Sequence, residues 1–214
     1  SSPDFNLYFL LMSIIYVKIL FNIGAYEDCL DIGYNVLNVL DSEKIDSIQY
    51  TIVSKEEFKY LVSECVGYIA LVDVITLKED VGEFLDISKK LLNFLPDSYS
   101  IFVQLQNLIK GQSVNLDKSM DGEDVFSPIL YHIINAFISF KNNPEKFAQE
   151  IYKSKLIAKN AMMFQFELFS DLMIGYAYIG LNSFKKASAI IYKIIKDAKF
   201  KGMNAIVHSA WYVM

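Results

Sequence analysis

Apolar and polar positions alternate with helical spacing along almost the whole chain. From Pro3 the apolar residues recur every three or four positions to about Asn22, which predicts a helix opened by Pro at its first position after Ser2. Gly24 and Tyr26 mark a short turn before a second helix carrying Leu30, Gly33, Val36, Leu37 and Leu40. Residues 41 to 53 read as a polar connection. Ser54-Lys55-Glu56-Glu57 is a capping box, with Ser and Glu three apart, and opens a helix to about Leu77. Further helices are predicted from Asp80 to Phe94, stopped by Pro96, and from Ser98 to Ile109.

Gly111 to Val125 is the one long polar interruption and reads as a loop. Ser127-Pro128 and Asn143-Pro144 then each pair a capping residue with Pro, opening helices to about Lys141 and Leu156. Lys159 to Leu181 is expected to be one long helix, Ser183 to Phe200 its partner, and Asn204 the start of another. No segment alternates with strand periodicity between turn residues, so the chain is expected to be all-α, with connections short enough to make neighbours antiparallel. The expected organisation is helical repeats over 1–110, an acidic loop over 111–125, and further repeats over 126–214 that continue beyond the excerpt.

The turn near residue 180 is the best-formed local signal. Ile174, Gly175, Tyr178 and Leu181 share one helix face, and Phe184, Ala187, Ile191 and Ile194 share a face of the next. Gly175 leaves room for a facing side chain, Ala187 permits close approach, and Asn182 suits a left-handed turn residue. A hairpin of this kind cannot bury both faces alone and needs stacked neighbours. A weaker copy lies at Leu20, Gly24, Tyr26 and Cys29, with Val17 ahead of it.

This pattern resembles the tetratricopeptide repeat. Ile174, Gly175, Tyr178, Asn182, Phe184 and Ala187 carry the resemblance, and Val17 stands where that family prefers Gly. Asn143-Pro144-Glu145-Lys146-Phe147-Ala148 matches a degenerate turn and second helix. Ala148 and Ala187 are 39 residues apart, nearer the long-period variants than the usual repeat of about 34. The resemblance implies antiparallel hairpins stacked as a right-handed superhelix. It assigns packing to Gly24, Tyr26, Cys29, Gly175, Tyr178, Phe184 and Ala187. Such long-period repeats are similar to those of large eukaryotic cell-cycle assemblies, including anaphase-promoting-complex scaffold subunits, the separase arm and the cohesin-loader subunit, and to bacterial regulator domains.

Composition sharpens this picture. Apolar residues make up 53% of the 214 residues, and mean hydropathy is +0.28, which requires either a membrane span or helices covered on several sides. Leu7 to Ile23 contains Lys18, and Met162 to Leu181 contains Glu167 and Asp171; these charges argue against a span. All twenty basic residues are Lys, and the net charge is −5. Without Arg, the chain lacks the planar fork that reads phosphates and guanine edges, so direct nucleic-acid binding is not expected.

The chemistry-bearing residues are sparse. Cys29 and Cys65 read as small buried thiols, favouring a reducing, intracellular setting in the cytoplasm or nucleus. His132 and His208 lie 76 residues apart on apolar helices without a local ligand or triad partner. Asp117 to Gly122 imitates the first half of a calcium loop, but Pro128 stands where the bidentate Glu belongs. Neither a metal nor a cofactor is expected. Glu167 and Asp171, one turn apart on an apolar helix, are candidates with Tyr178 for a partner groove. Phe164, Phe166, Phe169, Tyr176 and Tyr178 occupy more than one face of that helix, partly as core and partly as an interface.

These features lead to the expectation of a non-catalytic scaffold or adaptor that holds a protein partner, a peptide or subunit, within a hetero-complex. A regulatory helical arm of a large enzyme such as a separase-like protease is the alternative, and a ligand-sensing regulatory repeat domain the next.

Overall fold

The structure, a computed structural model, describes residues 3–40, 48, 50–77, 80–93, 95–140 and 142–214, and the side chains of all of these except 3–6 and 144. Among them are ten α-helices and no strand. They are α1 (Pro3–Ile23), α2 (Tyr26–Val39), α3 (Lys55–Thr76), α4 (Val81–Leu92), α5 (Ile101–Ile109), α6 (Ser127–Ser139), α7 (Pro144–Asn160), α8 (Phe164–Gly180), α9 (Phe184–Phe200) and α10 (Asn204–Val213). Two compact units share them: residues 1–21 with 25–114, and residues 22–24 with 115–214. The division at 114 falls inside the expected loop, which carries one short 3-10 turn at Lys118–Met120. The Ser2 cap and most of the 41–53 connection lie outside the described residues.

The first unit is built round α3. The expected capping box opens it: Ser54 Oγ accepts from Glu57 N at 3.2 Å, and Ser54 N donates to Glu57 Oε2 at 2.8 Å. From Val62 to Val74 nearly every side chain of α3 is buried, so the helix has no solvent-facing stripe there. It packs against α2, α4 and α5. On α1, Phe21 lies 5.0 Å from the Tyr68 ring, and Lys18 Nζ donates to Glu64 at 2.7 Å. Close approach of α2 is set by Gly33, where a methyl group would come within 2.6 Å of Ile69 Cγ1.

The second unit is a run of antiparallel helices, each packed on the next from α6 to α10, with α8 also against α10. Helices α7, α8 and α9 are 17 residues each, and the turns between them share one geometry. Met162, Asn182 and Gly202, spaced 20 residues apart, all have left-handed φ, at 56°, 55° and 70°. After each, the next amide donates to a carbonyl five residues back: Met163 to Ala158, Ser183 to Tyr178, Met203 to Ala198. This is the hydrogen-bond pattern that closes a helix with a Schellman motif.

Buried positions repeat at twice that spacing. Phe147 and Ala187, Ile151 and Ile191, Ser154 and Ile194, and Ala158 and Ala198 are all buried and each 40 residues apart. Phe126, Phe166 and Ile206 form a second such series, as do Leu130, Ser170 and Ala210. Ala187 thus corresponds to Phe147 and not, as the motif spacing suggested, to Ala148.

Two helix boundaries differ from expectation for physical reasons. The helix expected from Lys159 to Leu181 is divided by the turn at Met162, because α7 runs on to Asn160 and α8 begins at Phe164. Helix α6 is capped by Asp124, whose Oδ1 accepts from Phe126 N and Ser127 N at 2.9 and 2.8 Å. Ser127 is already inside the helix.

Candidate interaction surface

The three residues expected in a groove all lie on α8. Glu167 is half-buried, while Asp171 accepts from Lys155 Nζ of α7 at 2.6 Å. With the two side chains 27% and 20% exposed, this ion pair ties α7 to α8. Tyr178 is half-buried, with Lys186 Nζ 5.5 Å from its ring centroid, a distance at which the ring face attracts the cation. The structure therefore leaves Glu167 and Tyr178 on the surface and commits Asp171 to a neighbouring helix.

The expected packing residues divide similarly. Gly24 takes a left-handed φ of 82°, and Ala25 N beyond it donates to Leu20 O. Tyr26 lies 6.0 Å from the Phe21 ring. Cys29 is buried, its thiol donating to Val17 O at 3.6 Å. Gly175 faces Ile191 of α9, whose Cγ1 would sit 3.2 Å from an added methyl. Ala187 is buried, but Phe184, on the same face as the first residue of α9, is 58% exposed.

Sequence reasoning missed the densest polar cluster. His132 Nδ1 lies 2.7 Å from Glu150 Oε2, Asn135 Nδ2 donates to the same oxygen at 3.3 Å, and Lys153 Nζ donates to Oε1 at 2.8 Å. Burial pushes the Glu150 carboxyl up, yet hydrogen bonds from Lys153 and His132 outweigh it and hold the group below its usual range. The four residues join α6 to α7 as a polar lock. The available signal was Glu150 itself, an acid on the face that carries Phe147, Ile151 and Ser154.

The thiols of the first unit are chemically quiet. Burial, with Asp73 nearby, pushes Cys29 up to about 12, and burial raises Cys65 as well, so neither forms the reactive thiolate near neutral pH. Tyr34 OH of α2 donates to Asp73 Oδ2 of α3 at 2.9 Å. Asp117 caps the short 3-10 turn by accepting from Ser119 N and Oγ. Among the described residues no group of three or more His, Cys, Asp and Glu is placed to hold a metal, and no helix is long and apolar enough to cross a membrane.

An uncovered apolar face belongs to the first unit. Leu7, Leu10, Ile14, Val17 and Leu20 bury one side of α1. Its other side carries Tyr8, Phe9, Met12, Ile15, Tyr16 and Ile19, each 48–64% exposed. The ridge forms one wall of a groove of about 420 Å³, floored on α2 by Ile32, Val36 and Val39, whose polar groups come from Ser13, Asn35 and the Tyr16 phenol. Scattered exposed apolar residues are ordinary; here six of them fall on one side of a single helix.

Compared with protein-family models, with curated proteins and with solved structures, the chain matches none.

Proposed function

We propose that the chain is a helical-repeat segment of the tetratricopeptide-like, long-period type. In this reading it acts as a non-catalytic scaffold that holds a protein partner within a larger assembly, with its hairpins continuing as a right-handed superhelix. The observation that supports this best is the 40-residue register of buried positions across α6 to α10, since stacked hairpins repeat their core contacts and offer extended faces for binding. Glu167 and Tyr178 supply mixed acidic and aromatic character to one such face.

Crosslinking mass spectrometry on the protein in its native assembly tests this. The expected result is a set of crosslinks from lysines of α7 and α9 to one or two different polypeptides, reduced by Glu167→Lys with Tyr178→Ala. Crosslinks confined to copies of this chain would overturn the scaffold reading.

A further inference from the structure

We infer that the exposed ridge of α1, with the groove beside it, is a self-association surface through which two copies of this chain pack α1 against α1 in antiparallel fashion. Three observations carry this. The first is area. Six ridge side chains are 48–64% exposed; at about 200 Å² for a large side chain, they leave roughly 650 Å² of surface. A standard interface buries about 800 Å² per partner, so this ridge with Val39, itself 47% exposed, supplies most of one side.

The second is self-complementarity. A two-fold interface uses the same patch on both copies, so each must offer both projecting and receiving elements. Here one face does both: Phe9, Met12, Ile15, Tyr16 and Ile19 of the α1 ridge project and also form the α1 wall of the groove, which receives between them and α2. The spacing is close to palindromic. An antiparallel crossing centred between Ile15 and Tyr16 sets Met12 of one copy against Ile19 of the second, and Ile15 against Tyr16.

The third is charge. No charged residue lines the groove, and Lys18, the single charge between Leu7 and Ile23, turns back to Glu64. A second copy therefore buries no unpaired charge on this surface. A lipid surface is the poorer occupant. Interfacial helices flank their apolar face with basic residues, whereas residues 1–114 hold 16 acidic residues against 8 Lys, a net charge of −8.

Sedimentation velocity of the full chain, from about 1 to 100 μM to bracket a micromolar Kd, tests the assignment without any partner present. The expected result is a dimer that dissociates on dilution. Met12→Glu and Tyr16→Glu each weaken it at least ~30-fold by burying a carboxylate at the crossing. Met12 is 64% and Tyr16 48% exposed, so helix content by circular dichroism stays unchanged. Tyr192→Glu, on an exposed position of α9, leaves the dimer intact. A monomer at the highest concentration overturns the inference, as does a dimer indifferent to both α1 variants. A monomer that floats with phosphatidylcholine vesicles overturns it in favour of a lipid surface. None of these outcomes bears on whether a different polypeptide occupies α8.

Discussion

Gly33 and Gly175 look alike in the sequence, each a lone glycine in an apolar helix, but their surroundings make them unequal. A methyl at Gly33 would meet Ile69 Cγ1 at 2.6 Å and Cδ1 at 2.7 Å, and Ile69 is wholly buried. A methyl at Gly175 would meet Ile191 at 3.2 Å, a gap that a small shift relieves. Gly33→Ala is therefore expected to destabilise the fold by about 1–3 kcal/mol through overpacking. Gly175→Ala should cost clearly less, because helix propensity offsets part of the strain. Urea denaturation midpoints of the two variants check the order. Glu150 gives a second prediction at this scale. Its folded-state carboxyl is held below the ordinary 4.5, so its contribution is present above that pH and lost as pH falls through the lower folded value. Thermal melts between pH 7 and 3 should show a steeper acid loss for the native protein than for Glu150→Gln.

At the scale of elements, the turns decide how regular the second unit is. The left-handed residue is Met, Asn and Gly in turn. Asn and Gly adopt that conformation readily, while Met pays for its Cβ. This explains why the sequence displayed the breaks after α8 and α9 but concealed the one after α7. Nothing about Met162 announces a turn, and the apolar spacing runs straight through it. Met162→Gly is accordingly expected to leave the structure unchanged and to raise stability by about 0.5–1 kcal/mol, read from the thermal midpoint, since the side chain is 70% exposed and gives up little packing. Asp124 was concealed differently. Pro128 drew attention to Ser127 as a cap, while the amides at the helix start are satisfied from three residues upstream.

For the whole molecule, helical class and the order of most helices were legible because periodicity is a local property. Pairings between helices were not. The His132–Glu150 contact joins residues 18 apart and Tyr34–Asp73 residues 39 apart, distances over which no sequence pattern speaks. Surface apolarity was legible in amount but not in place. Phe166 on α8 is buried and Phe164 lies under Lys201 at 4.0 Å, while six exposed apolar side chains fall on one side of α1. Net charge misled by averaging: residues 126–214 hold 11 Lys against 5 acidic residues, and residues 1–125 hold 9 against 20. The argument against nucleic-acid binding therefore rests on the missing Arg and not on the overall sign.

The equal turns of the second unit have a consequence for how it comes into being. Each of its helices lies chiefly against the one just before or after it in sequence, so every contact closes a short chain loop and little entropy is spent before the first packing is gained. Topologies of low contact order fold rapidly. In such a row, structure can nucleate at any one hairpin and spread outward, one helix at a time.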